Sequence, residues 1–473
     1  MTSFATRTKL LDYQQDAAAK LLPARVGALF MDMGTGKTRT AIELIRLRQS
    51  KIDHVVWFCP MSLKQTITHE ILKHTNCRPE SIYSFDGRTT ERTVPQDAFW
   101  YVIGVESMSV SARVILTSRQ LITERTFVVL DESSYIKGPR ARRTQYITDA
   151  SQPARYRLAL TGTPISQGVV DLYSQMYFLS PKILGYSSFY SFARNHLEYS
   201  DKYPGLIVRA HNLDHLAAKI KPYVYQVTKD EVDLRLPRKL YETYSCGLTG
   251  EQAEAYRQAK AELLDEVDTD NWDSLFIFRL FAALQGIIVG FWRRPKGELV
   301  TLPHGRISLL LSVLEQIPAP EKVIIWAKYR YSAAQIRDAL TEAYGAEAVA
   351  EFQGELTESQ RNHELDRWRQ SARFLIATQG AGGHGLTLNE AHYVVFYANS
   401  FKYAERLQAE DRCHRIGQER RPTYIDLDAG TGIERRIFKA LRRKGDALAE
   451  FRRQVERVKQ SNKKRLRQLV QTL

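Results

Sequence analysis

Gly27-Ala28-Leu29-Phe30-Met31-Asp32-Met33-Gly34-Thr35-Gly36-Lys37-Thr38-Arg39-Thr40-Ala41-Ile42-Glu43-Leu44-Ile45 decides how the rest of the chain is read. A short apolar run of strand length meets a glycine-broken turn, and a helical pattern follows at once. That order builds a phosphate cradle. Gly34, Thr35 and Gly36 let backbone N–H groups turn towards phosphate oxygens, Lys37 reaches the β- and γ-phosphates, and Thr38 offers a hydroxyl to Mg²⁺. The N-terminus of the helix adds its positive end. Met31 stands where the full eight-residue pattern has its first glycine. The stretch predicts a bound nucleoside triphosphate with Mg²⁺ as cofactor.

Outward from this stretch, short apolar runs alternate with helical patterns in two regions, as parallel sheets require. The first region predicts strands at 27–31, 54–59, 100–105, 127–130 and 156–160, and the second at 322–326, 373–377, 393–397 and 423–427. Residues 165–290 are aromatic, helix-patterned and poor in strand signals. Pro237 pulls Leu236 out of helix geometry and marks a hinge. The most apolar stretch, 275–292, is interrupted by Arg279 and Gln285, so it reads as a buried helix and no membrane span is expected. The fold class is therefore α/β, two parallel-sheet lobes with helical insertions between them and a basic helical C-terminal tail. We place the first lobe at 1–230 with a helical protrusion from about 165. The second spans 231–432 with a helical insertion at about 248–295, and the tail is 433–473.

Hydrolysis needs a metal-holding carboxylate and a group that polarises water, commonly at the end of a neighbouring apolar strand. Phe127-Val128-Val129-Leu130-Asp131-Glu132 supplies both: Asp131 to hold Mg²⁺ through water and Glu132 to act on the attacking water. A cation against the γ-phosphate lowers the barrier further. Gln408-Ala409-Glu410-Asp411-Arg412-Cys413-His414-Arg415-Ile416-Gly417-Gln418 offers two arginines three residues apart, on one face if helical. Spacing alone describes a solvated basic helix at least as well.

That eleven-residue run resembles the sixth motif of the Swi/Snf group of superfamily-two helicase-like ATPases, and further motifs fall into register over residues 10–437. Leu11-Asp12-Tyr13-Gln14 resembles the adenine-contacting motif, Phe58-Cys59-Pro60-Met61-Ser62-Leu63 motif Ia, and Asp131-Glu132-Ser133-Ser134 motif II. Leu160-Thr161-Gly162-Thr163-Pro164 is similar to motif III, Lys322-Val323-Ile324-Ile325-Trp326 to motif IV, and residues 378–386 to motif V. The segment from Val227 through Leu236-Pro237-Arg238-Lys239 resembles the family's connector. The resemblance implies two RecA-like lobes closing on ATP, with Gln14 reading adenine, Gln408 joining the nucleotide site, and Arg412 and Arg415 as arginine fingers. It implies that Thr161 couples ATP state to DNA, and that Lys64, Ser107, Thr163, Gln379 and Gly380 meet the DNA backbone. Phe401 stands where the family has a Trp shortly before motif VI, which implies stacking or coupling to DNA there, and Ser133-Ser134 where it often has a small residue and His.

The chain has 473 residues, with 68 Lys and Arg against 53 Asp and Glu, a formal net charge of +15. Hydrophobic residues make up 44% and charged residues 26%, which excludes a mainly disordered protein and points to a polyanionic partner. Residues 434–473 hold 14 Lys or Arg and 4 Asp or Glu, so most of the excess lies there. This segment also carries an apolar stripe, Leu448, Phe451, Val455, Val458, Leu466, Leu469 and Leu473, at helical spacing. It reads as an arm along duplex phosphates, as a helix packed on the second lobe, or as both at once, and truncation after Gly432 tests the arm. Four scattered cysteines indicate neither a zinc site nor a disulfide framework and suit a reducing cytoplasm. With no reader, zinc or nuclease module beside the motor, bacterial or viral members are the better comparison than nuclear remodellers. The expected activity is a DNA-stimulated ATPase moving along double-stranded or forked DNA without sequence preference, as a monomer. The rivals are a strand-separating helicase and a degenerate ATPase serving as a scaffold.

Overall fold

The computed structural model describes residues 4–165, 168–199, 207–229, 231–232, 236–265, 274–294, 297–378, 386–447, 450–451, 454 and 468–473. The chain divides into two compact units, Met1–Arg235 and Leu236–Leu473. The division falls a few residues beyond the expected boundary at 230.

The first unit carries β1 (Val26–Met31), β2 (His54–Cys59), β3 (Ile82–Ser84), β4 (Trp100–Gly104), β5 (Thr126–Leu130) and β6 (Tyr156–Thr161). A hairpin, β7 (Leu197–Tyr199) with β8 (Ile207–Ala210), precedes β9 (Val224–Val227). Seven strands form one parallel sheet in the order β3-β4-β2-β5-β6-β1-β9. Because side chains alternate across a strand, a sheet covered on both faces needs apolar residues at nearly every position. In β2, Val56 and Phe58 join the core on one face while Val55, Trp57 and Cys59 join the core on the other. Each fully buried large side chain of this kind stabilises the fold by roughly 1.5–3 kcal/mol.

The second unit contains β10 (Leu240–Ser245), the antiparallel pair β11 (Phe291–Arg293) and β12 (Leu299–Thr301), β13 (Val323–Ala327), β14 (Val349–Phe352), β15 (Phe374–Thr378), β16 (Tyr393–Phe396) and β17 (Thr423–Asp428). Six of these form a second parallel sheet, β10-β17-β16-β13-β15-β14. The apolar stretch around 275–292 is a helix, Ser274–Ile288, as its pattern requires. It buries Ile277, Leu280, Phe281 and Leu284 and turns at Gly290, whose φ of 93° favours glycine, into β11. The expected helical insertion thus ends in a hairpin strand.

The region between the two sets of predicted strands also contains β7, β8, β9 and β10, where sequence patterning shows few strand signals. The last two take edge positions in the two sheets. The C-terminal segment is not a separate body. The Gly432–Arg442 helix buries Ile433, Ile437 and Ala440, and Phe451, Val470 and Leu473 lie in the same core. Leu448, Val455, Val458 and Leu466 of the expected stripe lie outside the described residues.

Candidate functional site

In a parallel α/β sheet the loops leaving the C-terminal ends of the strands converge on one edge. In the first unit β1 ends at the phosphate loop, β5 at Asp131-Glu132, and β6 at Thr161-Gly162-Thr163. β2 and β4, next in the sheet, end at Pro60-Met61 and at Val105-Glu106-Ser107.

Two glycines shape the phosphate loop. Gly34 and Gly36 have φ of 79° and 82°, left-handed values that side-chain-bearing residues avoid, and Gly36 caps the Lys37–Arg46 helix. A Cβ at Gly36 would lie 2.3 Å from Gln14 Nε2. Thr35 is buried; its hydroxyl donates to the Asp32 carbonyl at 2.7 Å, and its own carbonyl accepts from Tyr13 Oη at 2.8 Å and Gln14 Nε2 at 2.9 Å. Gln14 therefore braces the loop from outside, while its Oε1 accepts from the Leu11 amide at 3.0 Å. Lys37 Nζ donates to the carbonyls of Met31 (2.8 Å) and Asp32 (3.1 Å), so its ammonium sits over the floor of the loop. Lys229, in the segment that resembles the family's connector, belongs to this arrangement: its amide donates to Asp32 Oδ2 at 2.9 Å, and the Asp32 amide donates to the Val227 carbonyl at 3.1 Å.

Asp131 and Glu132 are each 6% exposed. Burial and the neighbouring Glu132 push the Asp131 carboxyl up to about 7, against the opposing pull of Lys37. The Asp131 amide donates to the Phe58 carbonyl at 2.7 Å, and Asp131 Oδ1 accepts from the Glu132 amide at 2.9 Å. Glu132 has φ of 46° and ψ of 56°, left-handed for a residue with a side chain, a geometry that costs about 1–2 kcal/mol. Two adjacent buried carboxylates, with Lys37 acting on Asp131, leave an excess of negative charge that a divalent cation fits. Thr38 and Asp131 are the residues that the sequence leads one to expect there. Among the described residues no group of three or more His, Cys, Asp or Glu could hold a metal ion, so Mg²⁺ here would also need phosphate oxygens and water.

Motif III is joined to this turn. The Thr163 amide donates to Thr161 Oγ1 at 3.1 Å, and the Pro164 carbonyl accepts from Gln175 Nε2 at 2.8 Å. Gln175, fully buried, was not singled out from sequence because an amide in an apolar helix carries no motif.

In the second unit the helix Tyr403–Glu410 ends before either arginine, so Arg412 and Arg415 do not share a helical face as their spacing allowed. They lie in the turn that follows. Both guanidinium groups donate to one acceptor, the Leu386 carbonyl, each at 3.3 Å, and the Leu388 amide donates back to the Arg412 carbonyl at 2.9 Å. Gln408 is half-buried on the helix. The helix is anchored by Arg406, which donates to Glu410 (2.8 Å), Asn399 (2.6 Å) and Asp426, and by Lys239, 2.7 Å from Glu410. Burial raises the Glu410 carboxyl, but Lys239 and Arg406 outweigh it and hold it below the usual range.

Of the residues expected on DNA, Ser107 and Thr163 are half-buried. Ser107 Oγ donates to Met61 Sδ at 3.5 Å. Lys64 is only 6% exposed, in the first turn of its helix, instead of reaching into solvent. Phe401 is 4% exposed, packs edge-on against Phe281 at 5.3 Å between ring centroids, and belongs to the core of the second unit. Gln379 and Gly380 lie outside the described residues.

The SNF2-related domain is matched over residues 14–284 and the helicase conserved C-terminal domain over residues 305–417. The chain belongs to the SNF2-related family. The first matched segment contains all seven strands of the first sheet together with β10, the second contains β13 to β16, and β17 lies beyond it. The human DNA annealing helicase and endonuclease ZRANB3 is 25% identical over 421 residues, covering 87% of this chain and 37% of that protein. An uncharacterized ATP-dependent helicase of Mycoplasma genitalium, MG018, is 25% identical over 347 residues, covering 72% of this chain and 32% of that protein. The SNF2-related chain thus spans about a third of the length of these curated relatives. Among solved structures the Pyrococcus furiosus Hef helicase domain matches with a TM-score of 0.53 at 16% identity, over 90% of this chain and 97% of that one. That likeness concerns the fold. Among the described residues no helix is long and apolar enough to cross a membrane.

Proposed function

We propose that this SNF2-related chain is a DNA-stimulated ATPase that translocates along double-stranded or forked DNA, remodelling forks, annealing strands or displacing bound proteins. The observation that carries the reading is the meeting of Lys37 and Asp131-Glu132 at one edge of one parallel sheet, close enough for Lys37 to act on the Asp131 carboxyl. Gly34, Thr35 and Gly36 cradle the phosphates of ATP, Lys37 neutralises the β- and γ-phosphates, and Thr38 and Asp131 hold Mg²⁺. The metal, when bound, neutralises charge developing on the transferred phosphoryl group. Glu132 orients the attacking water, and Gln14 keeps the loop in shape beside the adenine site. Arg412 and Arg415 supply positive charge to the γ-phosphate from the second lobe, with Gln408 nearby. Thr161, Thr163, Lys64, Ser107, Gln379 and Gly380 are the positions through which ATP state and DNA backbone communicate, Lys64 acting from a buried position. Relatives named as annealing and ATP-dependent helicases agree with this class of work.

The test is ATP hydrolysis with duplex, forked, single-stranded and RNA substrates, with strand displacement measured in parallel. Duplex and forks should stimulate most, without strand separation, and Lys37→Ala should abolish turnover. Robust unwinding with a single-strand preference identifies the strand-separating helicase instead, and no hydrolysis on any nucleic acid identifies a scaffold.

A further inference from the structure

Ser133 follows the strained Glu132 and is fully buried. Its hydroxyl donates to Gln175 Oε1 at 2.6 Å. The same Gln175 amide donates from Nε2 to the carbonyl of Pro164 at 2.8 Å and to that of Asp171, one helical turn back, also at 2.8 Å. Gln175 thus spends its oxygen on the turn that carries the metal and water carboxylates and its nitrogen on the loop that ends β6. Beside it, Ser174 Oγ donates to the Lys137 carbonyl at 3.2 Å, so the Val170–Leu179 helix grips both ends of the Ser133–Ile136 turn.

A buried side-chain amide with donors and acceptor all engaged is costly to leave half-satisfied, so its partners move together or not at all. A left-handed backbone at a residue such as Glu132 persists only where its surroundings over-determine it. The hydrogen bond of the very next residue is one such constraint. Displacing Pro164 pulls on Gln175, and through Gln175 on Ser133 and the orientation of Glu132.

We propose that Gln175 is a positioning residue that transmits the state of the Thr161-Gly162-Thr163-Pro164 loop to Glu132 through Ser133. Replacing it disconnects DNA binding from hydrolysis while ATP binding persists. This inference rests on the reading of the chain as a DNA-stimulated ATPase.

Gln175→Leu keeps the volume and removes the amide; Ser133→Ala removes one oxygen and guards against a folding defect in the first variant. We measure kcat and KM for ATP at saturating duplex DNA, with melting curves and the double variant. Each single variant should lower the DNA-saturated kcat at least tenfold with KM for ATP within twofold, and the double variant should fall no further than the worse single one. A merely structural role would instead lower the melting temperature and leave the two effects multiplicative. If wild type is stimulated by DNA and both variants are stimulated equally well, or if the two losses multiply, the inference is overturned. If wild type hydrolyses ATP at one rate with and without DNA, the functional reading fails and takes this inference with it.

Discussion

Lys239 Nζ lies 2.7 Å from Glu410 Oε2, so the stretch leading into the second lobe is fastened to the helix that precedes Arg412 and Arg415. His414 Nε2 is 3.0 Å from the Pro237 carbonyl, a second fastening between the same two segments. Tyr241 Oη and Arg406 Nε complete the shell of Glu410 at 2.9 and 2.8 Å.

Removing one partner of a buried ion pair leaves the other desolvated and poorly compensated. Lys239→Ala should therefore destabilise the second lobe by about 2–4 kcal/mol, less than for a fully isolated pair because Glu410 keeps Arg406 and Tyr241. Urea unfolding measures it. Lys239→Met combined with Glu410→Gln should recover most of the loss, and a double variant as unstable as the sum of the singles would show that the two residues do not act on each other.

Glu132 holds a left-handed backbone that glycine adopts without strain. Glu132→Gly should be at least as stable as Glu132→Gln, by about 1 kcal/mol, since relief of strain offsets glycine's extra freedom in the unfolded chain. Both variants should lose ATP hydrolysis. Thermal melts beside turnover measurements decide the matter, and a clearly lower melting temperature for the glycine variant would remove the strain argument.

Lys328 is half-buried over the Phe401 ring, with Nζ donating to Gln285 Oε1 at 2.6 Å. Burial drives its ammonium well below the usual lysine value; Glu405 pulls it up and Lys402 pushes it down. The folded protein binds this proton less well than the unfolded chain. Its penalty is therefore full below the folded-state pKa and vanishes as pH rises past the unfolded value near 10.5. Lys328→Met, which leaves Gln285 Oε1 the Tyr329 hydroxyl at 3.1 Å, should stabilise the protein at pH 7 by about 1–3 kcal/mol. That advantage should shrink as pH rises towards 10.5. Denaturant titrations at several pH values test this, and a pH-independent difference would contradict it.

Truncation after Gly432 is not the clean test of a basic arm that sequence suggests. Glu434 Oε1 is 2.7 Å from the buried Arg306, Tyr256 Oη donates to the Leu473 carbonyl at 2.6 Å, and the cut would expose the core of the second lobe. Arg442, Arg443 and Lys444 are exposed at the end of the Gly432–Arg442 helix and can be neutralised without that damage. If they meet duplex phosphates, the triple glutamine variant should lower the slope of log affinity against log salt by up to about 3, with basal hydrolysis intact. An unchanged slope would place DNA elsewhere.

The strands foreseen from sequence are the interior ones, and all four sheet edges were missed: Ile82–Ser84, Val224–Val227, Leu240–Ser245 and Val349–Phe352. A strand covered on both faces must be apolar throughout, as at His54–Cys59, whereas Leu240–Ser245 alternates half-buried and exposed positions and resembles a loop. The phosphate loop and Asp131-Glu132 were legible for a similar reason. Their chemistry demands particular residue types at fixed spacing beside a strand.

By itself the sequence determined the two α/β lobes, the family and the residues expected to carry the ATP chemistry, because those follow from local period and from short motifs. Only the tertiary structure decided that Phe401 is core, that Arg412 and Arg415 meet at Leu386, and that Gln175 joins Ser133 to Pro164. These are contacts between residues distant in sequence, 11 positions for Gln175 and Pro164, 42 for Ser133 and Gln175 and 120 for Phe281 and Phe401, set by how helices pack on a sheet. The same holds for the charge of +15. Composition located its excess in the last forty residues, but burial of Ile433, Ile437, Val470 and Leu473 joins the described parts of that segment to a lobe, because these side chains gain more from the core than from water.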